Sequence, residues 1–359
     1  MCLRDPFYFC INFRIRYNSN GEQQSTLNSA IVFHNADRQL NSIAFVKTFK
    51  TGSSTLAGIL ARYGYERNLS FALPKEAMFL SFEPFNRKTS KLLSLPKPPG
   101  FHILNSHAIF NKSGFQEIMR PETKYITILR NPLKNFYSFI VYFNALTTFN
   151  FTGDIFSPDF PMQSFLDVVG TKRHFRSGLL HNGQMFSLGF DTYTQSNNAY
   201  AVANKIRELD LELDLVLINE YFDESLIILK KMMCWQFEDI LYVSQKISKK
   251  KYNFPEEHAT LLKNWTAADN ALYYHFNHTL WKKIEAYGAT FKNDLTHFKL
   301  LNQNVNNICF REVISTNGDY PLPNLSVQND NWTQFCIDIK RESYPYTILI
   351  RNNFLRNIK

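Results

Sequence analysis

The sequence predicts an α/β fold with a central parallel sheet flanked by helices. Two observations carry that expectation. Short apolar runs rich in strand formers recur at Ser42–Lys47, Phe101–Asn105, Lys124–Arg130 and Leu213–Ile218. Helical patterns follow the first, third and fourth of these runs. Strands that alternate with helices place a parallel sheet between helical layers, and ligands in such sheets sit beyond the carboxyl ends of the strands.

Residues 1–40 read as a peripheral segment, polar around Asn18 to Gln24 and without sustained periodicity. The first strand, Ser42–Lys47, runs into the loop Thr48–Thr55, and Leu56–Arg62 reads as a helix. Pro84, Pro96, Pro98 and Pro99 mark residues 84–100 as a surface loop. The second strand, Phe101–Asn105, ends near His107. The third, Lys124–Arg130, is stopped by Asn131-Pro132, and Pro132 opens a helix over Leu133–Phe143. Residues 147–165 are aromatic and irregular. Leu213–Ile218 is the fourth strand, and the helix Tyr221–Met233 begins with acidic residues that suit its dipole. Residues 258–290 read as mostly helical, and beyond about 300 the pattern fades. A core domain is therefore expected over 41–310, with 311–359 as a C-terminal extension.

Composition narrows the function classes. Apolar residues make up 45% of 359, enough for a sizeable core. Only 13 Gly and 14 Pro exclude collagen-like and low-complexity chains. A net charge of +9 points to anionic partners. The one dense basic run, Lys249–Lys251, is most simply a solvated surface, so a nucleic-acid binder is disfavoured. None of the cysteines (Cys2, Cys10, Cys234, Cys309, Cys336) falls in a C-x-x-C pair, and no metal site is signalled. Seven N-x-[ST] sequons, at Asn68, Asn111, Asn150, Asn264, Asn277, Asn324 and Asn331, fit a secretory lumen. The apolar run Phe7–Phe13 is too short for a membrane span or a secretory signal.

Three segments carry candidate chemistry. Lys50, Thr51, Gly52, Ser53, Ser54 and Thr55 read as an anion cradle: a flexible glycine, hydroxyl donors, a lysine and the N-terminus of the following helix. The lysine precedes the glycine, so this is not a Walker A loop, and a P-loop nucleotide kinase is disfavoured. An ordinary Ser or Thr N-cap beside a solvated lysine is the alternative. Arg130 at a strand end can grip a phosphate with two donors, and Ser138 lies two helical turns further on. His107, after a strand, is a candidate general base, or one more solvent-facing histidine.

Together these segments resemble the galactose 3-O-sulfotransferase family. The resemblance covers roughly Ile43 to Phe310. It rests on Phe45–Leu56 (FVKTFKTGSSTL), Asn68–Pro74, Tyr125–Pro132, Asn182–Phe186, Gly189–Asp191, Glu220–Leu226, Cys234-Trp235 and His275–Trp281. It implies a P-loop-like sulfotransferase fold with 3′-phosphoadenosine 5′-phosphosulfate as donor and no metal. Lys50 to Thr55 are then expected to hold the 5′-phosphosulfate, and Arg130 and Ser138 the 3′-phosphate. Lys50 would stabilise the leaving oxygen, and His107 would deprotonate the 3-hydroxyl of a terminal β-galactose. Asn182, Gln184 and Asp191 are weaker candidates for sugar contacts, or simply a structural turn. Phe49 and Ser106 stand where relatives usually carry histidine, and Ile109 where an arginine often follows. A uronosyl 2-O-sulfotransferase or a non-catalytic glycan-binding relative are the competing readings. The family consists of Golgi membrane proteins with an N-terminal span and a lumenal catalytic domain. No span is visible here, so a truncated or misassigned start is expected. A lumenal origin makes Cys234 and Cys309 candidate disulfide partners.

Overall fold

The structure, a computed structural model, describes residues 39–172, 175–243, 254–314 and 330–356. Residues 1–38, the Lys249–Lys251 run, the Asn324 sequon, Cys2 and Cys10 lie outside the described residues.

The described residues form six strands: β1 (Ile43–Val46), β2 (Phe79–Pro84), β3 (Ile103–Leu104), β4 (His107–Ile109), β5 (Lys124–Leu129) and β6 (Leu215–Ile218). Among the described residues, four form the central sheet in the order β3-β1-β5-β6, every pairing parallel. Ile43 lies opposite both Ile103 and Lys124, and Ile126 opposite Leu215. All four residues of β1 are at most 1% exposed. A strand covered on both faces has no polar side, which is why these strands read as unbroken apolar runs.

The helices are α1 (Ser53–Glu66), α2 (Lys112–Gln116), α3 (Pro132–Phe143), α4 (Ala145–Thr148), α5 (Met162–Thr171), α6 (Phe175–Leu180) and α7 (Gly183–Ser187). They continue with α8 (Ala199–Glu212), α9 (Phe222–Met233), α10 (Glu256–Trp265), α11 (Ala267–Tyr287), α12 (Phe291–Ile314), α13 (Asp330–Lys340) and α14 (Ser343–Arg356). In α1, Leu56, Ile59, Leu60 and Tyr63 recur at helical spacing and are buried. α3 starts as its sequence requires: Pro132 occupies the first turn and the Asn131 side chain accepts from the Lys134 N–H at 3.2 Å.

The fold departs from the sequence reading in four places. β2 and β4 pair in parallel as a separate two-stranded sheet, so His107 opens a strand instead of following one. The aromatic stretch 147–165 builds a second hydrophobic cluster in which Phe149, Phe151 and Phe160 meet Phe165 edge-on. Helix continues past residue 300, and α13 and α14 pack on α1, with Tyr346 fully buried. Cys309 bonds to Cys336, not to Cys234, which carries a disulfide of its own. The physical reason is placement: the helix carrying Cys336 brings its Cα within 5.1 Å of that of Cys309, inside disulfide reach.

Candidate active site

The loop between β1 and α1 leaves the carboxyl end of a central strand. Its turn needs a positive φ at Lys50 (59°) and at Gly52 (81°). Glycine adopts this without strain. A Cβ at position 52 would also collide with Asn219 Oδ1. Gly52→Ala is therefore expected to cost at least about 1–2 kcal/mol from backbone strain alone, readable as a lowered thermal midpoint.

The loop's acceptors are tied to the protein. The Thr48 carbonyl accepts from Ser53 Oγ at 2.6 Å, that of Phe49 from Asn135 Nδ2 at 2.7 Å, and that of Lys50 from Arg130 Nη1 at 3.1 Å. Thr48 and Thr51 hydroxyls pair at 2.7 Å. With its carbonyls engaged, the loop has mainly donors left to offer. The N-cap of α1 is Gly52, and no side chain caps the helix. The ordinary Ser or Thr cap thus gives way to an open helix N-terminus, the geometry that favours an anion. The hydroxyls of Thr51 and Ser53 hold the loop together, whereas Ser54 is exposed and Thr55 half-buried. Lys50 Nζ lies 3.4 Å from the Tyr142 ring centroid.

Arg130, at the end of β5, is brought to the same loop. Burial lowers its pKa, and the Glu220 carboxylate opposes that shift. The guanidinium stays charged, as arginine does in proteins. Its Nε is buried and finds no hydrogen-bond partner among the described residues. An orphaned cationic donor beside an anion cradle fits a second anionic group of the same ligand.

The surroundings fix Arg130 in place. Gln184 Oε1 accepts from the Arg130 N–H at 2.8 Å, and Gln184 Nε2 donates to the Arg130 carbonyl at 2.9 Å. Asp269 accepts from the N–H groups of Gln184 (3.1 Å) and Met185 (2.8 Å). Burial pushes the Asp269 carboxyl up to about 6. Asn182 Oδ1 accepts from the Asp269 N–H at 2.9 Å. Both Asn182 and Gln184 are 1% exposed, so their amides brace Arg130 and α7. Asp191 is exposed, and its carboxylate accepts from the N–H groups of Tyr193 and Thr194 in a local turn. Ser138 is half-buried on α3, and no hydrogen bond joins it to Arg130 among the described residues.

His107 reaches the site from the second sheet. Its Nδ1 lies 3.0 Å from the Lys47 carbonyl. A carbonyl only accepts, so Nδ1 carries the proton and donates. The neutral ring then has its lone pair on Nε2, the form a general base needs. Burial, and then the charge of Lys47, hold the His107 pKa well below its ordinary value of 6.5. Phe49 lies flat against the ring, with centroids 4.2 Å apart and planes 14° apart.

Two residues outside the candidate set matter here. Lys47 is buried, its pKa is lowered to about 8 by desolvation, and its Nζ donates to Ser343 Oγ of α14 at 3.2 Å. Glu220 accepts from the Asn131 N–H at 3.1 Å and from the Tyr273 hydroxyl at 3.2 Å, next to Arg130. The sequence signal for both was their place at a strand end: Lys47 closes the first strand and Glu220 follows the fourth.

A donor-rich loop and helix start, a cation with a spare buried donor and a neutral imidazole, grouped around the same loop of a parallel sheet, are what a P-loop-like group transferase requires. Comparison with known proteins gives the family. The family model described as Galactose-3-O-sulfotransferase matches residues 18–318, and the chain belongs to that family. It is 31% identical to the mouse galactose-3-O-sulfotransferase 3 over 293 residues, 78% of this chain and 64% of the relative. It is 31% identical to the bovine galactosylceramide sulfotransferase over 277 residues (74% and 63%). It is 30% identical to the human galactose-3-O-sulfotransferase 2 over 257 residues (69% and 62%). The matched regions span less than two thirds of these curated relatives' own lengths. Among the described residues no helix is long and apolar enough to cross a membrane.

Proposed function

We propose that the chain transfers the sulfuryl group of 3′-phosphoadenosine 5′-phosphosulfate to the 3-hydroxyl of a terminal β-galactose on a glycolipid or glycoprotein glycan. The observation that carries this reading is the open N-terminus of α1, led by Lys50, with the unpartnered Arg130 Nε beside it. One anionic site suits the phosphosulfate and the other the 3′-phosphate. Lys50 and the N–H groups of Gly52 to Thr55 take the first, with Ser54 and Thr55 as the available hydroxyls. Arg130 takes the second, with Ser138 on the neighbouring helix.

In the transfer, the galactose 3-oxygen bonds to sulfur as the bond from sulfur to the phosphate oxygen breaks. His107 Nε2 accepts the hydroxyl proton. Lys50 and the helix N-terminus stabilise the negative charge that grows on the leaving phosphate oxygen. The braced loop and Arg130 hold the donor in line, so part of the rate comes from alignment. Donor binding tests the second anion site: Arg130→Lys loses the forked geometry and the tie to the Lys50 carbonyl. It is expected to raise the donor KM about tenfold or more, measured by donor titration at saturating acceptor.

A secretory-pathway lumen, with the Golgi as its site by family resemblance, is supported by the Cys309–Cys336 disulfide. The exposed sequon asparagines Asn68, Asn150 and Asn264 support it too. The deciding experiment is transfer of radiolabelled sulfate from the donor to galactosylceramide, lactosylceramide and N-acetyllactosamine. Transfer to a 3-hydroxyl of galactose is the expected result. Neither transfer nor nucleotide binding by the folded protein would remove the reading.

A further inference from the structure

One face of α3 is turned to the loop between β1 and α1. Asn135, Ser138 and Tyr142 recur at helical spacing along it. Asn135 Nδ2 donates to the Phe49 carbonyl at 2.7 Å. Two turns further on, the Tyr142 ring takes the Lys50 ammonium, with Nζ 3.4 Å from the ring centroid. Lys50 is thus held at both ends. Its backbone sits at a φ of 59°, and its carbonyl accepts from Arg130 Nη1 at 3.1 Å. Phe143, packed on the second hydrophobic cluster, stands edge-on to the Tyr142 ring at 4.9 Å and 81°. Tyr142 itself is 60% exposed, so its ring adds little to the core.

We infer that Tyr142 is a positioning residue: its ring fixes the place of the Lys50 ammonium beside the donor loop, one helical turn from Ser138. The inference rests on the sulfotransferase reading and deepens it. A lysine carries its charge on a flexible four-carbon stem, and in water the ammonium spreads over many rotamers. Only the fraction that stands at the leaving oxygen can stabilise the charge growing there, so holding the tip raises the rate. A carboxylate partner would hold the tip too, but it would cancel the charge and repel an anionic donor. An aromatic face attracts the cation through its quadrupole and brings no net charge. It is also a weaker acceptor than an oxygen, so a phosphosulfate can take the N–H donors of the ammonium. The attraction belongs to the ring and not to its hydroxyl. Phenylalanine should therefore replace Tyr142, and leucine should not.

The test uses the full chain and has two arms. In the sulfate-transfer assay, Tyr142→Leu is expected to lower kcat about threefold to tenfold, with a smaller change in donor KM and an unchanged thermal midpoint. Tyr142→Phe should behave as the wild type. In a Lys50→Ala background, Tyr142→Leu should lower kcat no further, because the ring acts only through the ammonium. The second arm needs no turnover. Reductive methylation with labelled formaldehyde keeps the lysine charge and gives a methyl signal for Lys50, assigned by its loss in Lys50→Arg. The ring should shift that signal upfield in the wild type and in Tyr142→Phe, and not in Tyr142→Leu. An unchanged kcat in Tyr142→Leu, an equal fall in the Lys50→Ala background, a fall shared by Tyr142→Phe, or an unshifted Lys50 signal in the wild type overturns the proposal. If the ring shift follows Tyr142 and no sulfate moves in the wild type, the reaction assignment fails while the placement of Lys50 stands. If sulfate moves with no Tyr142 dependence, the positioning role fails and the reaction stands.

Discussion

Replacing Lys50 by alanine is expected to lower the transfer rate by on the order of 10³-fold while leaving the fold intact. The loop is held by contacts that do not involve the lysine side chain: Ser53 to the Thr48 carbonyl, Asn135 to that of Phe49, Arg130 to that of Lys50. Removing the ammonium takes away its charge and its contact with the Tyr142 ring, and leaves these ties in place. The charge matters most when the donor's bond to sulfur is broken, because the leaving phosphate oxygen then gains negative charge in a site where burial weakens screening. The expected signature is a large fall in kcat with a smaller change in donor KM, since under the proposed function the helix N-terminus and Arg130 would still hold the nucleotide. Circular dichroism and thermal denaturation check the fold, and the sulfate-transfer assay reads the rate. Retention of more than a tenth of the wild-type kcat would assign the leaving-group role to other donors.

The central sheet was legible because a parallel strand covered on both faces must be apolar throughout. β1, β5 and β6 therefore announce themselves in sequence. β2 was not, because its exposed second half (Phe82, Glu83, Pro84) and its single pairing partner leave no such run. The loop from Lys50 to Thr55 stood out in sequence because its composition is local: lysine, glycine and hydroxyls within six residues. What holds the site was not. Gln184 meets Arg130 across 54 positions, Asn135 meets Phe49 across 86, and Ser343 meets Lys47 across 296. The same limit explains the disulfide: nothing in the spacing of Cys234, Cys309 and Cys336 says which two the helices bring together. Asn182 and Gln184 show how type and role separate. Amides near a site suggest sugar contacts, yet at 1% exposure theirs hold Arg130 and α7.

The Phe49 substitution also takes on a physical meaning. At the position where the family resemblance implies a histidine, this chain places an apolar ring flat on His107. A second imidazole there would compete for protons. A phenyl face instead covers one side of the His107 ring. Burial is the first cause of its lowered pKa, which fits that covering ring.

His107→Gln is the other substitution with a large expected effect, a fall in kcat of about 10²–10⁴-fold. Glutamine can keep the donor bond to the Lys47 carbonyl but has no basic lone pair. The pH dependence separates this role from a structural one. A base works in its neutral form, so activity is lost as pH falls through the pKa of His107. That pKa lies well below 6.5, through burial first and the Lys47 charge second. The wild type should therefore hold its rate at pH 6.5 and fall only in more acidic buffer. Lys47→Met removes the charge and keeps the length of the side chain. Without a cation nearby the imidazolium is easier to form, so the His107 pKa rises and the acidic limb of kcat/KM moves to higher pH. Burial remains, so the limb should still lie below 6.5. Imidazole NMR titration of the same variant reads that shift without turnover. A raised His107 pKa with an unmoved rate profile would show that the proton leaves by another route. An unmoved pKa would mean that Lys47 and Ser343 serve packing alone.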